Sequence, residues 1–300
     1  MTSPTSGSLL RIGLVGAGPW AKLFHAPMLA ASSDVELAGI WARRLDQADS
    51  LATRHGVQAA VDLDDLFARC DAIAFAVPPD VQSELAVRAA HAGCHLLLDK
   101  PVGLDVEQAR AVADASAAAG VVSQMILTNR YRPSVRRFLA EAAGFAVHGA
   151  RAATVGGAAI PGAYFATPWR IAHGALLDLG PHVLDLLEAA VGPIVEIRGA
   201  GDPTTWTELT CTHESGAVSQ ASLSITTPVD PGLSRFDLYG PTGTMSLDTA
   251  EHPEDFADAM RAIPAELASA VTSGDGHPLD AAHGLHLQEL LAAATAPHRD

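Results

Sequence analysis

Two short stretches of this 300-residue chain hold side chains able to do chemistry. In LLLDKPVGL, the residues Asp99, Lys100 and Pro101 follow directly on three leucines. An acid and a lysine at the tip of an apolar strand form either a loop ion pair or the floor of a reactive cleft. In LLDLGPHVLDLL, Asp178 and His182 stand four residues apart, a spacing that puts both on one face of a helix. Pro181 lies between them and is expected in a first helical turn, where N–H groups have no intrahelical partner. The helix should therefore start within a few residues of Asp178. Histidine gains and loses a proton near neutral pH, which suits acid/base work. The same pair also fits an N-terminal acid beside an ordinary histidine.

A third stretch, GLVGAGPWA, carries Gly16-x-Gly18-x-x-Ala21 where an apolar strand gives way to a helix. In that context the pattern reads as a dinucleotide-binding turn. Gly16 permits the tight turn, Gly18 leaves room for a pyrophosphate, and Ala21 lets helix and strand pack closely. Pro19 and Trp20 belong to the same turn, and the phosphates would face backbone N–H groups at the helix start. The second strand ends GIWARR. An acid there would hold the ribose 2′-hydroxyl of NAD. Arg43 and Arg44 stand there instead, and a guanidinium pairs well with a 2′-phosphate, which favours NADP over NAD. The alternative is an arginine pair on a solvated helix turn.

These residues need a scaffold. Apolar runs at 9–18, 35–42, 70–79, 94–101 and 121–127 alternate with helical spacing at 43–56, 81–93 and 105–120, several of the helices stopping at glycine. Strands apolar throughout with helices between them imply an α/β Rossmann domain, a doubly wound parallel sheet covered on both faces. VQAA near Val57 reads as one further short strand. Ligands in such sheets bind beyond the carboxyl ends of the strands. Val77 and Pro78 in VPPD, and Asp99, Lys100 and Pro101, therefore line the expected nicotinamide cleft.

After about Met125 the pattern changes. A helix at 134–143 precedes strand-like runs at 147–157, 194–201, 206–215, 217–226 and 234–240, with a helix around 177–190 among them and helical segments at 253–271 and 281–294. Alternation in WTELTCT and SQASLSIT fits an open, mainly antiparallel sheet with one exposed face. The expected organisation is a dinucleotide-binding domain over 1–124 and an α+β substrate-binding and oligomerisation domain over 125–300. An apolar exposed sheet face would be a natural surface for a homodimer or homotetramer.

Bulk composition narrows the function. The formal net charge of −15, from 34 acids against 19 bases, repels phosphate backbones and excludes a nucleic-acid role. No apolar run approaches the roughly 20 residues of a spanning helix, and the N-terminus has no signal-peptide pattern, so a cytoplasmic protein without membrane contact is expected. Three widely spaced cysteines, Cys70, Cys94 and Cys211, suggest core residues rather than a disulfide or zinc framework. Asp178, His182 and Asp185 form a weak metal-ligand pattern, and His283, His286 and Glu289 fit a solvated helix face. No metal is expected.

Several of these segments together resemble the Gfo/Idh/MocA oxidoreductases, named for glucose–fructose oxidoreductase and inositol 2-dehydrogenase. IGLVGAGPWAKLFHAPML is similar to that family's N-terminal fingerprint, and AVPPDVQSELAVRAAHAGCHLLLDKPVGLDVEQA to its central signature, whose usual triplet is Glu-Lys-Pro. NRYRP resembles the opening of its second domain, WRIAHGALLDLGPHVLDLL its Asp-x-x-x-His motif, and AHGLHLQELLAAA its closing helix. The resemblance implies hydride transfer between a nicotinamide and a sugar, polyol or related carbonyl, with the catalytic lysine at Lys100 and the acid and histidine at Asp178 and His182. It also implies a cis peptide before Pro101. The chain departs from the family pattern in Asp99 for glutamate, in Gln82 where histidine is frequent, in Pro181 within the motif and in a short second domain.

On that reading His182 is the acid/base. Lys100 stabilises the reacting oxygen or is itself the proton donor, and Asp178 orients the substrate or tunes the other two. Trp169, with Arg170, either walls the nicotinamide or packs a domain junction. Asn129 and Tyr164 are candidate substrate contacts, and His25 and His173 candidate cleft residues. Two other functions fit the same motifs: a glycosidase-like enzyme with transient oxidation, and a non-catalytic dinucleotide-binding regulator.

Overall fold

A computed structural model describes residues 9–230 and 232–296. The chain divides into two compact units, residues 1–126 with 260–286 and residues 127–259 with 287–300. Nothing in the local sequence pattern marks the return of 260–286 to the first unit.

The first unit is built on five parallel strands, β1 (Leu10–Val15), β2 (Val35–Trp41), β3 (Ala72–Phe75), β4 (His95–Asp99) and β5 (Ser123–Ile126), in the order β2-β1-β3-β4-β5. The chain winds outward in both directions from β1, so the switch point lies between β1 and β3, where ligands of such sheets bind. Every residue of β3 and β5 is buried, as strands covered on both faces require. The helices are α1 (Ala26–Ala30), α2 (Leu45–Arg54), α3 (Leu63–Arg69), α4 (Pro79–His91) and α5 (Val106–Ala119). Asp62 and Asp105 cap α3 and α5, each accepting a backbone N–H three residues on at 2.8 Å.

One local expectation changes. VQAA forms a single bridge, Ile40 to Ala59, rather than a strand, because the chain makes only that contact before Asp62 starts α3. The short α3 itself has no clear signal beyond its cap. The outer edge of β5 is closed by the returning segment: the Met125 N–H donates to the Leu279 carbonyl at 2.6 Å, and Gln124 Nε2 donates to the Ile263 carbonyl at 2.9 Å. Covering an edge strand in this way removes a template for unwanted pairing.

The second unit carries a six-stranded sheet of β6 (Gly149–Val155), β7 (Ile194–Asp202), β8 (Trp206–His213), β9 (Val218–Ser224), β10 (Leu233–Gly240) and β11 (Gly243–Asp248), in the order β11-β10-β6-β9-β8-β7. Every pair is antiparallel except β6 with β9. Strand β11 follows GPTG, a turn that the sequence marks without a clear strand pattern behind it. The remaining helices are α6 (Pro133–Ala142), α7 (Pro168–Val191), α8 (Asp255–Ser273) and α9 (Ala281–Thr295), and α7 packs on β6, β8 and β9. The middle of the sheet's outward face carries Arg151, Glu208, Gln220, Arg235 and Asp237, with the exposed Trp206, Val218, Leu233 and Tyr239 on the same side of their strands. It is a mixed surface rather than the apolar one expected from alternation.

Candidate active site

The glycine turn follows β1. Gly16 has φ 122°, and a Cβ there would come within 2.4 Å of the Ala76 carbonyl oxygen just past β3, so only glycine fits. Its N–H donates to the Trp41 carbonyl at the end of β2 at 2.8 Å. A Cβ on Gly18 would meet nothing within 4 Å, which leaves the space a pyrophosphate needs, and Ala21 is fully buried. The turn therefore fits a dinucleotide. Pro19 and Trp20 are helical, but residues Ala21–His25 form a π turn instead of the plain α-helix the spacing predicts. The Ala26 N–H bonds the Ala21 carbonyl five residues back. Pro27 next in line has no N–H to bond Leu23, so the wider turn falls where the α ladder is already interrupted.

Arg43 and Arg44 follow β2 as expected, both exposed, with Arg44 at the N-cap of α2. Val77 and Pro78 lead from β3 into α4; Pro78 is its N-cap in extended conformation. The loop after β4 bears Asp99, Lys100 and Pro101, and the Lys100–Pro101 peptide is cis. Gln82, on α4, explains its place in the sequence here. Its Nε2 donates to the carbonyls of Asp99 (2.7 Å) and Pro101 (3.1 Å), and its Oε1 accepts the Asp99 N–H at 2.8 Å. One buried amide thus pins the backbone on both sides of Lys100. The fully buried His25 places Nε2 3.2 Å from Asp99 Oδ2. Burial pushes the Asp99 carboxyl up, yet the hydrogen bond and electrostatic attraction of His25, the charge of Lys100 and the Lys100 N–H outweigh it and hold the group below the ordinary aspartate range. The structure thus gathers the turn, the start of α4 and the lysine loop at the carboxyl ends of β1, β3 and β4.

In the second unit α7 is two helices joined at Gly174, whose φ 69° and ψ −160° break the ladder. The Ala175 N–H turns instead to the Pro203 carbonyl at 2.7 Å. The second helix starts three residues before Asp178, close to where Pro181 suggests, but Pro181 lies past the first turn, inside the helix. Its missing N–H costs the ladder bond to Leu177. The start is set by Gly174 and its long-range partner, not by the proline. Asp178 is buried and His182 half-buried on the same helix. Arg170 donates from Nε to Asp178 Oδ1 at 3.1 Å, and its guanidinium lies 4.6 Å from the Trp169 ring centroid. The Arg170 contact escapes any reading of spacing, since eight residues and a break separate the partners.

Tyr164 is exposed and packs edge-on to Phe165 at 5.1 Å. Asn129 lies in the 3-10 turn Thr128–Tyr131, where its carbonyl accepts the Arg132 N–H at 3.1 Å. His173 is exposed just before the break. Among the described residues no group of three or more His, Cys, Asp or Glu could hold a metal ion, and no helix is long and apolar enough to cross a membrane. The three cysteines are buried and free, and burial pushes their thiols up to about 12 for Cys70 and about 11 for Cys94 and Cys211.

A doubly wound sheet with an open glycine turn at its switch point defines a dinucleotide-binding protein, and the second sheet is the partner such a unit has in one oxidoreductase family. The chain belongs to that family, GFO/IDH/MocA: the sequence model of its NAD-binding Rossmann fold matches residues 10–127, and that of its C-terminal domain matches residues 146–246. D-glucoside 3-dehydrogenase of Escherichia coli K12 is 30% identical over 206 residues, 64% of this chain and 57% of that protein. The chain thus spans little more than half the length of this curated relative. A solved structure of GenD2 from gentamicin A biosynthesis, in complex with NAD, superposes with a TM-score of 0.84 at 22% identity, covering 98% of this chain and 95% of that one. A myo-inositol dehydrogenase from Corynebacterium glutamicum gives 0.81 at 23% identity, covering 96% of each chain. At such identities the two structures speak for the fold.

Proposed function

We propose that the chain is an NADP(H)-dependent dehydrogenase or reductase that acts on a CH–OH group, or the corresponding carbonyl, of a sugar or polyol. The observation that carries this reading is the place of Lys100, one residue past β4 on the sheet edge that also bears the open turn at Gly18. The name of D-glucoside 3-dehydrogenase, a relative at 30% identity, supports the substrate class.

In this reading the dinucleotide is held by Gly16, Gly18, Pro19, Trp20 and Ala21 at its phosphates, by Arg43 and Arg44 at the adenosine 2′-phosphate, and by Val77, Pro78, Asp99, Lys100, Pro101 and Trp169 near the nicotinamide. When bound, the nicotinamide accepts or supplies the hydride. His182 takes the hydroxyl proton during oxidation and returns it during reduction. Lys100 hydrogen-bonds the reacting oxygen and steadies its developing negative charge. Asp178, oriented by Arg170, positions the substrate hydroxyls, and Asn129 and Tyr164 add contacts to the sugar.

We also propose a homodimer or homotetramer formed through the outward sheet face, in a reducing cytoplasm suited to three free thiols. Light scattering at micromolar concentration reads the assembly, and a monomer overturns it.

A fluorescence titration with NADPH and NADH, followed by a screen of sugars and polyols for stoichiometric change in reduced cofactor, tests the function. Binding of neither nucleotide to folded protein overturns the dinucleotide reading. Turnover without net cofactor change overturns the dehydrogenase reading.

A further inference from the structure

His25 stands 74 residues from Asp99 in sequence, yet the two meet in the first unit. The imidazole is fully buried, and its Nδ1 has no hydrogen-bond partner among the described residues. A buried N–H without an acceptor is costlier than a bare lone pair beside apolar rings, so the proton of the neutral ring is assigned to Nε2, which donates to Asp99 Oδ2. The other carboxylate oxygen, Oδ1, accepts the backbone N–H of Lys100 at 2.8 Å. One carboxylate therefore ties a buried ring to the peptide that carries the lysine.

Two features aim this contact. The π turn adds one residue to the helical turn that His25 completes, which rotates the downstream residues by about 100° relative to an α-helix. Trp20 stacks on Phe24 at 4.5 Å, and Phe24 meets the His25 ring edge-on at 5.4 Å, so the imidazole is walled by the helix that opens at the glycine turn. The second feature is the short acid. Asp99 has one methylene fewer than glutamate, which keeps Oδ1 within reach of the next residue's own N–H. Gln82 holds the same loop only through backbone groups and leaves the carboxylate to His25.

We propose that His25, acting through Asp99, is a positioning residue for Lys100: it holds the carboxylate turned toward the lysine's main-chain N–H and so fixes the peptide from which the lysine reaches its substrate. The proposal rests on the reading of Lys100 as the catalytic lysine. His25 itself touches no reacting atom. Besides the His25 hydrogen bond, the charged side chain acting on Asp99 is that of Lys100.

The chain has only two lysines, Lys22 and Lys100. Protein labelled with [15N]lysine therefore gives two backbone amide signals, assigned with Lys22→Arg. Lys22 donates to the Gly18 carbonyl and reports the integrity of the turn. In His25→Phe, hydrogen exchange of the Lys100 amide should accelerate about tenfold or more while the Lys22 amide is unchanged. His25→Gln, whose amide N–H can take the place of Nε2–H, should stay within about twofold of wild type. The acid inflection of the Lys100 amide shift, which tracks the Asp99 carboxylate, should move to higher pH in His25→Phe and stay in place in His25→Gln. With a sugar found in the screen, kcat in His25→Phe should fall about tenfold with KM little changed, and His25→Gln should restore it. Wild-type exchange and inflection in folded His25→Phe overturn the proposal. So does wild-type kcat in His25→Phe where Lys100→Ala is inactive. Failure to find any sugar substrate, or full activity in Lys100→Ala, sinks the functional reading instead, and the amide data still decide the His25–Asp99 contact.

Discussion

Arg170 Nε lies 3.1 Å from Asp178 Oδ1, although eight residues separate the two. In an unbroken helix that separation is about 12 Å along the axis. The break at Gly174 brings the partners together, and it depends on a conformation that other residues rarely adopt. A Cβ on Gly174 would also fall 1.7 Å from the Pro203 carbonyl oxygen. Gly174→Ala should therefore cost about 3 kcal/mol or more, read as a large drop in the thermal midpoint or as loss of soluble protein. Arg170→Met removes one partner from a buried carboxylate and should cost about 3 kcal/mol. A midpoint within a degree or two of wild type for Gly174→Ala would show that the break is not required.

Lys100→Ala should lower kcat by about a thousandfold or more if the lysine stabilises the reacting oxygen, with circular dichroism retained. Lys100→Arg should not restore the rate, because a planar guanidinium cannot replace a compact ammonium in position. Turnover near wild type in Lys100→Ala removes the lysine from the mechanism.

Arg43 and Arg44 are both exposed at the end of β2, so the proposed pairing with a 2′-phosphate would be screened but unobstructed. The double variant Arg43→Ser, Arg44→Ser should weaken NADPH by about tenfold and change NADH by less than about threefold. Equal effects on both nucleotides in the fluorescence titration would assign the arginines to the solvated start of α2 alone.

The cysteines should be silent in the native state. Burial pushes all three thiols up, to about 12 for Cys70 and about 11 for Cys94 and Cys211, so the thiolate is scarce at pH 8. A disulfide reagent such as DTNB at pH 8 should label far less than one thiol per native chain and all three after denaturation. Rapid native labelling of one thiol would contradict the buried placement of the three cysteines.

Asp255 supplies the N-terminal cap that α6 lacks in its own sequence, with Oδ2 accepting the Ser134 N–H at 2.8 Å. Burial pushes its carboxyl up, but hydrogen bonds from Ser134 and the charges of Arg132 and His252 hold it below the ordinary value. A carboxyl depressed by folding stabilises above its unfolded pKa, and that stability is lost as pH falls through the folded value. Asp255→Ala should cost about 1–2 kcal/mol at pH 7, and the gap between variant and wild type should narrow below about pH 4. Denaturant melts at pH 7 and pH 3 check both statements; a gap that widens in acid refutes the ionised cap.

Short-range features of this protein are legible in the amino acids. The Gly16-x-Gly18-x-x-Ala21 turn, the apolar strands of the parallel sheet and the four-residue spacing of Asp178 and His182 depend on backbone conformation and periodicity within a few residues. Tertiary structure decided the rest. The break in α7 needs both Gly174 and the carbonyl of Pro203, and only that break brings Arg170 to Asp178. The π turn aims His25 at an acid 74 residues away, Gln82 grips a loop 17 residues ahead of it, and residues 260–286 return to close the edge of β5. Each of these is a hydrogen bond or close approach between groups whose separation in sequence is arbitrary. No local propensity encodes such a pairing, because it exists only once distant elements are packed.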